Sequence, residues 1–466
     1  MIHSTLKGKG VKISNIQLLF LAFNRHFRFK LKGMISSPYN QDFTEHKKFL
    51  INTFNKFGGR RSSLEVNCLQ IIRENLNDYR NEIDHNFECV NTQIKNSLSL
   101  MTSETVFNMT FGIGMHDKKL FKPLADLITE NFNSTGVAAA FNFIPLARIF
   151  KTYIMKNVVK CSEYLNVLIS EKMNAFNEDI DDSDFEIKHA TDESNIIECY
   201  LKELMNNDKF LCSFPMTNSS SSNLFNIQSK RLTEKRRSSI TQNPNEKLKS
   251  NYKSFSFDHL SSLVQDLFLA GTETMSLSLN WAIIYAAYYP ELQKEISDEI
   301  DRVLGSEKLP TESDRAKLPY VEAFINETLR YHCAGPILIP RSTTKDVIFR
   351  DYHLPANTFV MVNMWSCMRD PAYWEDADKF EPKRFIDSDG NYKCKNLAMM
   401  PFSVGKRACI GESIARLQMF LIFTSLMQKF HFSLASKKDA LNKSLLLGIP
   451  GIGLNPPKIS LKLTLR

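Results

Sequence analysis

The 466-residue chain lacks the cysteine pattern of a secreted, disulfide-stabilised protein. Its nine cysteines are odd in number, contain no CxxC pair and lie far apart, at positions 68, 89, 161, 199, 212, 333, 367, 394 and 409. Disulfide frameworks usually contain dense, even-numbered cysteines, and structural zinc sites usually contain closely spaced pairs. The sequence therefore indicates reduced thiols in a protein that faces the cytosol, and it argues against a structural zinc site.

The N-terminal segment lacks acidic residues, since the first one in the chain is Asp42. It also lacks a long apolar run: the stretch from Leu18 to Phe23 is far shorter than the roughly 20 residues that cross a bilayer. No small-residue cleavage site follows that run, which argues against a signal peptide. We therefore predict a basic segment, residues 1–32, without a clear transmembrane helix. A frayed terminus, a segment on a membrane surface and a transit peptide remain open for it.

The charge balance gives no sign of a nucleic-acid partner. The formal net charge is +8, modest for this length, and no RNA-binding signature or zinc-finger spacing occurs. Concentrated on one face, such a charge would dock an acidic protein or an anionic membrane.

The body of the chain is rich in apolar residues, with 43% hydrophobic content and 34 phenylalanines, and it contains no internal repeat. Apolar residues at three- and four-residue spacing predict helices along most of it, at 49–57, 64–76, 153–176, 292–304 and 320–332. Short strands are predicted around 347–362. This pattern indicates a mainly α fold with small β-sheets, in a single domain from residue 33 to 466.

One insert within that domain differs in kind. Residues 216–252 are dominated by Ser, Asn, Gln and Lys, and such a stretch buries too little apolar area to order itself. We expect it to be disordered. Its Lys235-Arg236-Arg237-Ser238-Ser239 motif is typical of a basic kinase target, or of a solvated charge run.

A long helix is predicted from Leu260 to Tyr289, with only two charged residues, Asp266 and Glu273. Its centre contains polar residues from Thr272 to Asn280, a costly set for lipid. A helix buried in protein fits better than a transmembrane helix. Gly271 weakens it by about 1 kcal/mol relative to Ala, and the Thr274 hydroxyl can bond back to the carbonyl of Ala270 and bend it. Taken alone, this is either a ligand groove or a tolerated kink.

The segment from Pro401 to Glu412 carries the chemistry. A glycine-containing loop leads to Cys409, and a predicted helix follows from Glu412 to Phe430. Free N–H groups and the helix dipole at that end favour a thiolate. Gly405 and Gly411 leave room for a flat group, and Arg407 can meet an acidic group on it. A lone cysteine is usually a small core residue, so the flanking pattern decides the interpretation.

That pattern, Phe402-x-x-Gly405-x-Arg407-x-Cys409-x-Gly411, resembles the haem-binding signature of the cytochrome P450 superfamily at every position. The resemblance implies haem b between a long distal helix and the proximal Cys loop with its helix. Cys409 would be the axial thiolate ligand of the iron. Phe402 would pack beside it, and Arg407 would bind a haem propionate.

Other family elements follow in order. Ala270-Gly271-Thr272-Glu273-Thr274 is similar to the dioxygen-binding element, which would make Thr274 the proton-relay hydroxyl and Glu273 its acidic partner. The Glu327-x-x-Arg330 pair, taken alone, predicts a surface ion pair. Together with Arg384 it resembles elements that in this family form a buried structural network behind the haem.

Two further cations depend on the resemblance alone. Without the resemblance, Arg341 would be interpreted as a surface residue before a strand. Its position is similar to that of a second propionate-binding arginine in the family. By the same resemblance, Ile337 to Ile339 would line the substrate pocket. Lys47 and Phe43 replace the Arg and Trp that the family usually places in one helix. Lys47 would therefore meet a propionate only as a point charge.

The resemblance is to the animal microsomal branch that metabolises drugs and steroids, from Gly33 to the C-terminus; upstream of Gly33 the family's anchor and first strands have no evident counterpart. It implies a monooxygenase that acts on a lipophilic small molecule with dioxygen and with electrons from an NADPH-dependent flavoprotein reductase. We expect it at the cytosolic face of the endoplasmic reticulum membrane, with the mitochondrion as an alternative. A haem-thiolate isomerase or dehydratase, and an incomplete isoform with impaired haem binding, remain alternative hypotheses.

Overall fold

The structure is a computed structural model of the chain. It describes residues 13–14, 33–35, 37–57, 63–86, 89–91, 94–112, 122–130, 151–180, 195–205, 254–436, 446–450, 453–457 and 459–466. The 216–252 insert with its basic serine motif, and most of the basic segment 1–32, lie outside these residues.

Helices make up most of the described chain, as the apolar spacing predicts. They are α1 (Gln41–Phe57), α2 (Ser63–Asn86), α3 (Ile94–Phe111), α4 (122–130), α5 (Lys151–Ile180), α6 (Ile196–Met205), α7 (Phe257–Gly271), α8 (Glu273–Tyr288), α9 (Pro290–Val303), α10 (Pro319–Tyr331), α11 (Met364–Cys367) and α12 (Glu412–Lys429). Short 3-10 turns lie at Glu312–Lys317, Pro382–Phe385 and Gly405–Arg407.

Local sequence explains where these helices begin. Pro290 occupies the first turn of α9, where a missing N–H costs nothing. Ile296 and Ile300 then recur four residues apart on its buried face. The Ser256 hydroxyl caps α7 by accepting a hydrogen bond from the His259 N–H.

Three helices form the centre of the molecule. Nearly every residue of α8, of α12 from Leu417 onward and of α3 from Leu98 onward is buried. Helix α8 contacts both α3 and α12. A helix that is buried on all sides must be enclosed by other elements, and this arrangement confirms that the 260–289 region is buried in protein. Among the described residues, no helix combines the length and the apolar character needed to cross a bilayer.

The predicted long helix is in fact two helices that meet at Thr272. The Thr272 hydroxyl donates to the carbonyl of Phe268 at 2.8 Å, and the Thr274 hydroxyl donates to that of Ala270 at 2.6 Å. Two side chains in succession thus compete for helix carbonyls beside a glycine, which bends and interrupts a helix. The predicted bond from Thr274 is confirmed.

Four small antiparallel sheets accompany the helices in the part of the chain that the structure describes. Their strands are β1 (Ile13–Ser14), β2 (Cys89–Asn91), β3 (Arg341–Thr343), β4 (Val347–Phe349), β5 (Tyr352–Leu354), β6 (Phe359–Val360), β7 (Phe430–Leu434), β8 (Ile449–Pro450), β9 (Leu454–Asn455) and β10 (Leu461–Leu465). The sheet orders are β1-β3-β6, β2-β10-β7, β4-β5 and β8-β9.

Strand β1 lies upstream of the boundary predicted at residue 33. Ile13 pairs with Thr343 and Ser14 with Ser342, so the sheet takes in part of the basic N-terminal segment. A strand of two residues is too short to show the alternating pattern by which sequence reveals strands.

Candidate functional site

The loop before α12 holds Cys409 in a defined position. Ser403 and Gly405 both adopt positive φ angles, 63° and 80°, which turn the chain back on itself. The N–H of Cys409 then donates to the carbonyl of Phe402 at 2.9 Å. Gly411 caps α12, so Cys409 lies just before the helix N-terminus, as the sequence predicts.

The Cys409 side chain is accessible, yet protein surrounds it. It borders a cavity of about 590 Å³ between α1 and α12. Burial raises the pKa of its thiol, while the Gly411 N–H and the charge of Lys47 lower it. The helix end therefore acts in the predicted direction, but desolvation outweighs it. A thiolate here needs a further positive partner, and a metal ion is the usual one.

Among the described residues, two arginines, one in this loop and one in β3, each have a guanidinium N–H group without a hydrogen-bond partner. Burial lowers the pKa of Arg341 to about 10, and one of its terminal nitrogens, Nη1, is buried without a hydrogen-bond partner. Burial, and next the charge of Arg341, lower the pKa of Arg407 to about 10, and its buried Nε also lacks a partner. Two neighbouring buried cations with free N–H groups form a binding site for an acidic group.

Aromatic rings complete the surroundings of Arg407. Its guanidinium lies 3.8 Å from the ring centre of Phe43, which explains why an aromatic residue precedes Lys47 by four positions on α1. Phe402 lies under the guanidinium of Arg416, 4.9 Å from its ring centre. Lys47 donates to the carbonyl of Lys406 at 2.7 Å, so it ties α1 to the Cys loop.

The haem that the resemblance implies fits these residues. Haem contains a metal ion that the accessible Cys409 thiol could bind and a flat face that the Cys loop could contact. Its two carboxylates could pair with Arg341 and Arg407. Space for a flat group exists at Gly411, where an added Cβ would meet no atom within 4 Å. The unpaired nitrogens of Arg341 and Arg407 are the groups that propionates would satisfy.

On α7 and α8 the predicted residues face different ways. Thr274 and Ala270 are accessible, whereas Glu273 is completely buried. A Cβ at Gly271 would lie 3.0 Å from Val106, so this glycine allows α3 to approach. The side chains of Thr274 and Glu273 make no hydrogen bond to each other among those found in the described residues. Glu273 instead accepts hydrogen bonds from Ser99 and Thr129.

The structure brings Glu327, Arg330 and Arg384 together. Arg330 pairs with Glu327 through two bonds of 2.6 and 2.8 Å, and both side chains are completely buried. Arg384 donates to the same carboxylate at 3.2 Å. Arg330 also donates to the carbonyls of Met368, Ala377 and Lys379. The network therefore anchors the long segment that precedes the Cys loop.

Sequence reasoning missed the role of Asp266. Its carboxylate accepts the N–H of Ile35 at 2.8 Å, while Arg407 donates to the carbonyls of Met34 and Ser37. The turn at 33–37 is thus held from two sides. Burial raises the pKa of Asp266 to about 7, against the lowering effect of the backbone N–H groups. The available signal was that Asp266 is one of only two charged residues in the predicted helix from Leu260 to Tyr289.

Comparison with known proteins bears on the family of this chain. The family model described as Cytochrome P450 matches residues 1–463. The chain is 30% identical to human cytochrome P450 2J2 over 410 residues, 88% of this chain and 71% of that protein.

Other relatives match over shorter lengths. Mouse cytochrome P450 2U1 is 38% identical over 217 residues, and mouse cytochrome P450 2B19 is 43% identical over 214. These matches cover 47% and 46% of this chain but only 40% and 43% of the two relatives. The chain thus spans less than half of the length of these relatives.

Proposed function

Since this chain belongs to the cytochrome P450 family, we propose that it is a haem-dependent monooxygenase. It inserts one atom of dioxygen into a lipophilic small molecule such as a steroid, a fatty acid or a xenobiotic. The observation that carries the proposal is the combination of one accessible thiol with two buried, incompletely bonded guanidinium groups. The thiol matches the iron of haem b, the two cations match its propionates, and the open space matches its plane.

The residues of the chain have distinct roles in this proposal. Cys409 ligates the iron, and Arg407 and Arg341 bind the propionates while Phe43 stacks on Arg407. Lys47 holds the Cys loop from α1 and adds positive charge beside the thiolate, whose formation it favours. When bound, haem would supply dioxygen activation, and the Cys409 thiolate would hold its iron. Thr274 presents a hydroxyl at an accessible position of the helix break.

Electrons would come from an NADPH-dependent flavoprotein reductase. Lys47, which is half-buried, lines the Cys409 cavity. Lys48 and Lys56 are exposed on α1, and Lys406 is exposed on the Cys loop. An acidic patch on a reductase would be attracted to such a face, and docking there would bring the flavin to the thiolate side.

We place the protein at the cytosolic face of the endoplasmic reticulum membrane. The β4–β5 hairpin supports a membrane-facing surface, because Ile348 and Tyr352 are 75% and 70% exposed. Exposed apolar side chains favour insertion at a membrane–water interface.

The test is the reduced carbon-monoxide difference spectrum of the purified full chain. We expect the Soret band of thiolate haem at close to one haem per chain. Cys409→Ser should abolish that band, whereas Cys394→Ser, another exposed cysteine, should leave it unchanged. An unaltered spectrum in Cys409→Ser would refute the assignment. Product formation without dioxygen or reductase would favour an isomerase, and haem well below one per chain would favour an impaired isoform.

A further inference from the structure

The Glu273 carboxyl group occupies an unusual position for an acid of the distal site. It is completely buried at the first turn of α8 and faces α3 and α4. Thr274, the next residue, is accessible and bonds to its own helix instead. The hydrogen-bond partners of Glu273 among the described residues lie on α3 and α4, so these residues offer a proton route from that side.

Two hydroxyl groups occupy that route. Thr129 Oγ1 donates to Glu273 Oε1 at 2.5 Å, and Ser99 Oγ donates to the same oxygen at 2.9 Å. The two hydroxyl oxygens lie 3.1 Å apart. Thr129 is half-buried, and its neighbour Glu130 in the last turn of α4 is exposed. Thr129 thus bridges the buried carboxyl group and the outer side of α4.

This triangle of oxygens accommodates both protonation states of the acid. When the carboxylate is ionised, each hydroxyl directs its one hydrogen to Oε1. When the carboxyl is protonated, its O–H can donate to one hydroxyl, and the 3.1 Å separation allows the two hydroxyls to bond to each other. A proton carrier needs surroundings that satisfy both states, and a hydroxyl can do this because it is donor and acceptor at once.

Two further observations fit a carrier. Within the described residues, Glu273 Oε2 is buried and has no hydrogen-bond partner, so one oxygen is left for a transient partner. The surrounding backbone is held firmly: Thr102 of α3 donates to the carbonyls of Ser99 and Thr272 at 3.1 and 3.2 Å. The acid is fixed at the helix break while its second oxygen stays unsatisfied.

We propose that Ser99 and Thr129 are positioning residues that hold Glu273 and admit protons to it from the α4 side. The proposal rests on the monooxygenase function proposed above. In the transfer step, the O–H bond of Thr129 breaks as an O–H bond forms at Glu273 Oε1. In the same concerted step a hydronium ion on the outer side of α4 gives its proton to the Thr129 oxygen and leaves as water, so that no alkoxide forms. Glu273 then passes its proton to a transient acceptor, for which its second oxygen, Oε2, is free among the described residues.

The first measurement needs no turnover. The infrared carboxyl band of Glu273 in the purified full chain is assigned by its loss in Glu273→Gln. Thr129→Val and Ser99→Ala each remove one hydrogen bond and should shift that band. Thr110→Val is the matched control, because the Thr110 hydroxyl of α3 bonds only to Val106 of its own helix among the described contacts; it should leave the band in place. A band unmoved in both test variants would refute the placement.

The second measurement follows the proton path. Thr129→Val should lower the coupling efficiency, the fraction of consumed reductant that appears as product, by about tenfold. This is less than the roughly 10²–10⁴-fold effect of losing a general acid. The same variant should raise the solvent isotope effect on product formation. Thr129→Ser restores the hydroxyl and should restore both values. Coupling and isotope effect equal to those of Thr110→Val would overturn the proposal. A chain without thiolate haem would instead refute the proposed function, while the infrared result would still test the placement.

Discussion

Arg330→Ala should strongly destabilise this protein, because it leaves a completely buried carboxylate without its main partner. Arg330 gives two bonds to Glu327 and three more to backbone carbonyls, and both side chains have 0% exposure. Breaking a buried ion pair by removing one partner costs about 3–5 kcal/mol. Arg384 remains 3.2 Å from the carboxylate, so we expect the lower half of that range.

The carbonyl groups add to this loss. Those of Met368, Ala377 and Lys379 belong to the segment that leads to the Cys loop. Without Arg330 they lose a charged donor, and the loop that carries Cys409 loses its support. Arg330→Lys should recover only part of the stability, because an ammonium group cannot replace the planar fork of a guanidinium.

The assay is the midpoint of denaturant unfolding of the haem-loaded chain, together with haem content per chain. Arg302→Ala is the control: Arg302 also follows a glutamate, Glu299, by three positions, but it is 71% exposed and the ion pair is 3.9 Å long. A long ion pair with an exposed arginine contributes at most about 1 kcal/mol, and the Glu299 carboxylate keeps the N–H groups of Tyr320 and Val321 as partners. If Arg330→Ala shifted the midpoint no more than Arg302→Ala, the buried network would not support the fold as argued.

Three other outcomes are expected. The pKa of Asp266 is raised from 3.8 to about 7, so between those values the folded chain binds more protons than the unfolded chain. This group therefore reduces stability as pH rises through that window, by at most about 4 kcal/mol at about 1.4 kcal/mol per pH unit. Asp266→Asn should flatten the pH dependence of thermal stability between about pH 4 and pH 7, and an unchanged slope would contradict this. Arg407→Ala should weaken haem binding by about 10- to 100-fold, the value of a charged hydrogen bond, measured as faster haem loss to a scavenger protein, and loss at the parent rate would speak against propionate binding. Gly448→Ala should lower the free energy of unfolding by about 1–3 kcal/mol, because Gly448 has φ 75° and an added Cβ would lie 2.9 Å from Leu454 and 3.0 Å from Trp281. Gly390→Ala, where φ is 79° and the added Cβ would meet no atom within 4 Å, should lower it less. Equal denaturation midpoints for the two variants would refute the role of the clash.

The features that sequence alone predicts well are local. Apolar spacing located the helices, since a helix face is set by residues three and four positions apart. The loop at Gly405, the helix after Cys409 and the bond from Thr274 to Ala270 involve neighbours within a few positions. Chain connectivity already places such residues together, so little tertiary information is needed. The resemblance in the Cys409 segment then pointed to the family, which the comparison confirms.

Tertiary structure decided what joins distant parts of the chain. The partners of Glu273 are 174 and 144 residues away, and the contact of Asp266 with Ile35 spans 231 residues. No local pattern encodes such pairs, because they depend on which helix faces pack together. The Cys409 thiol shows the same limit: its helix end favours the thiolate, but burial by remote elements outweighs that preference. Local geometry follows from neighbouring residues, whereas desolvation and side-chain partners arise only when the whole chain is packed.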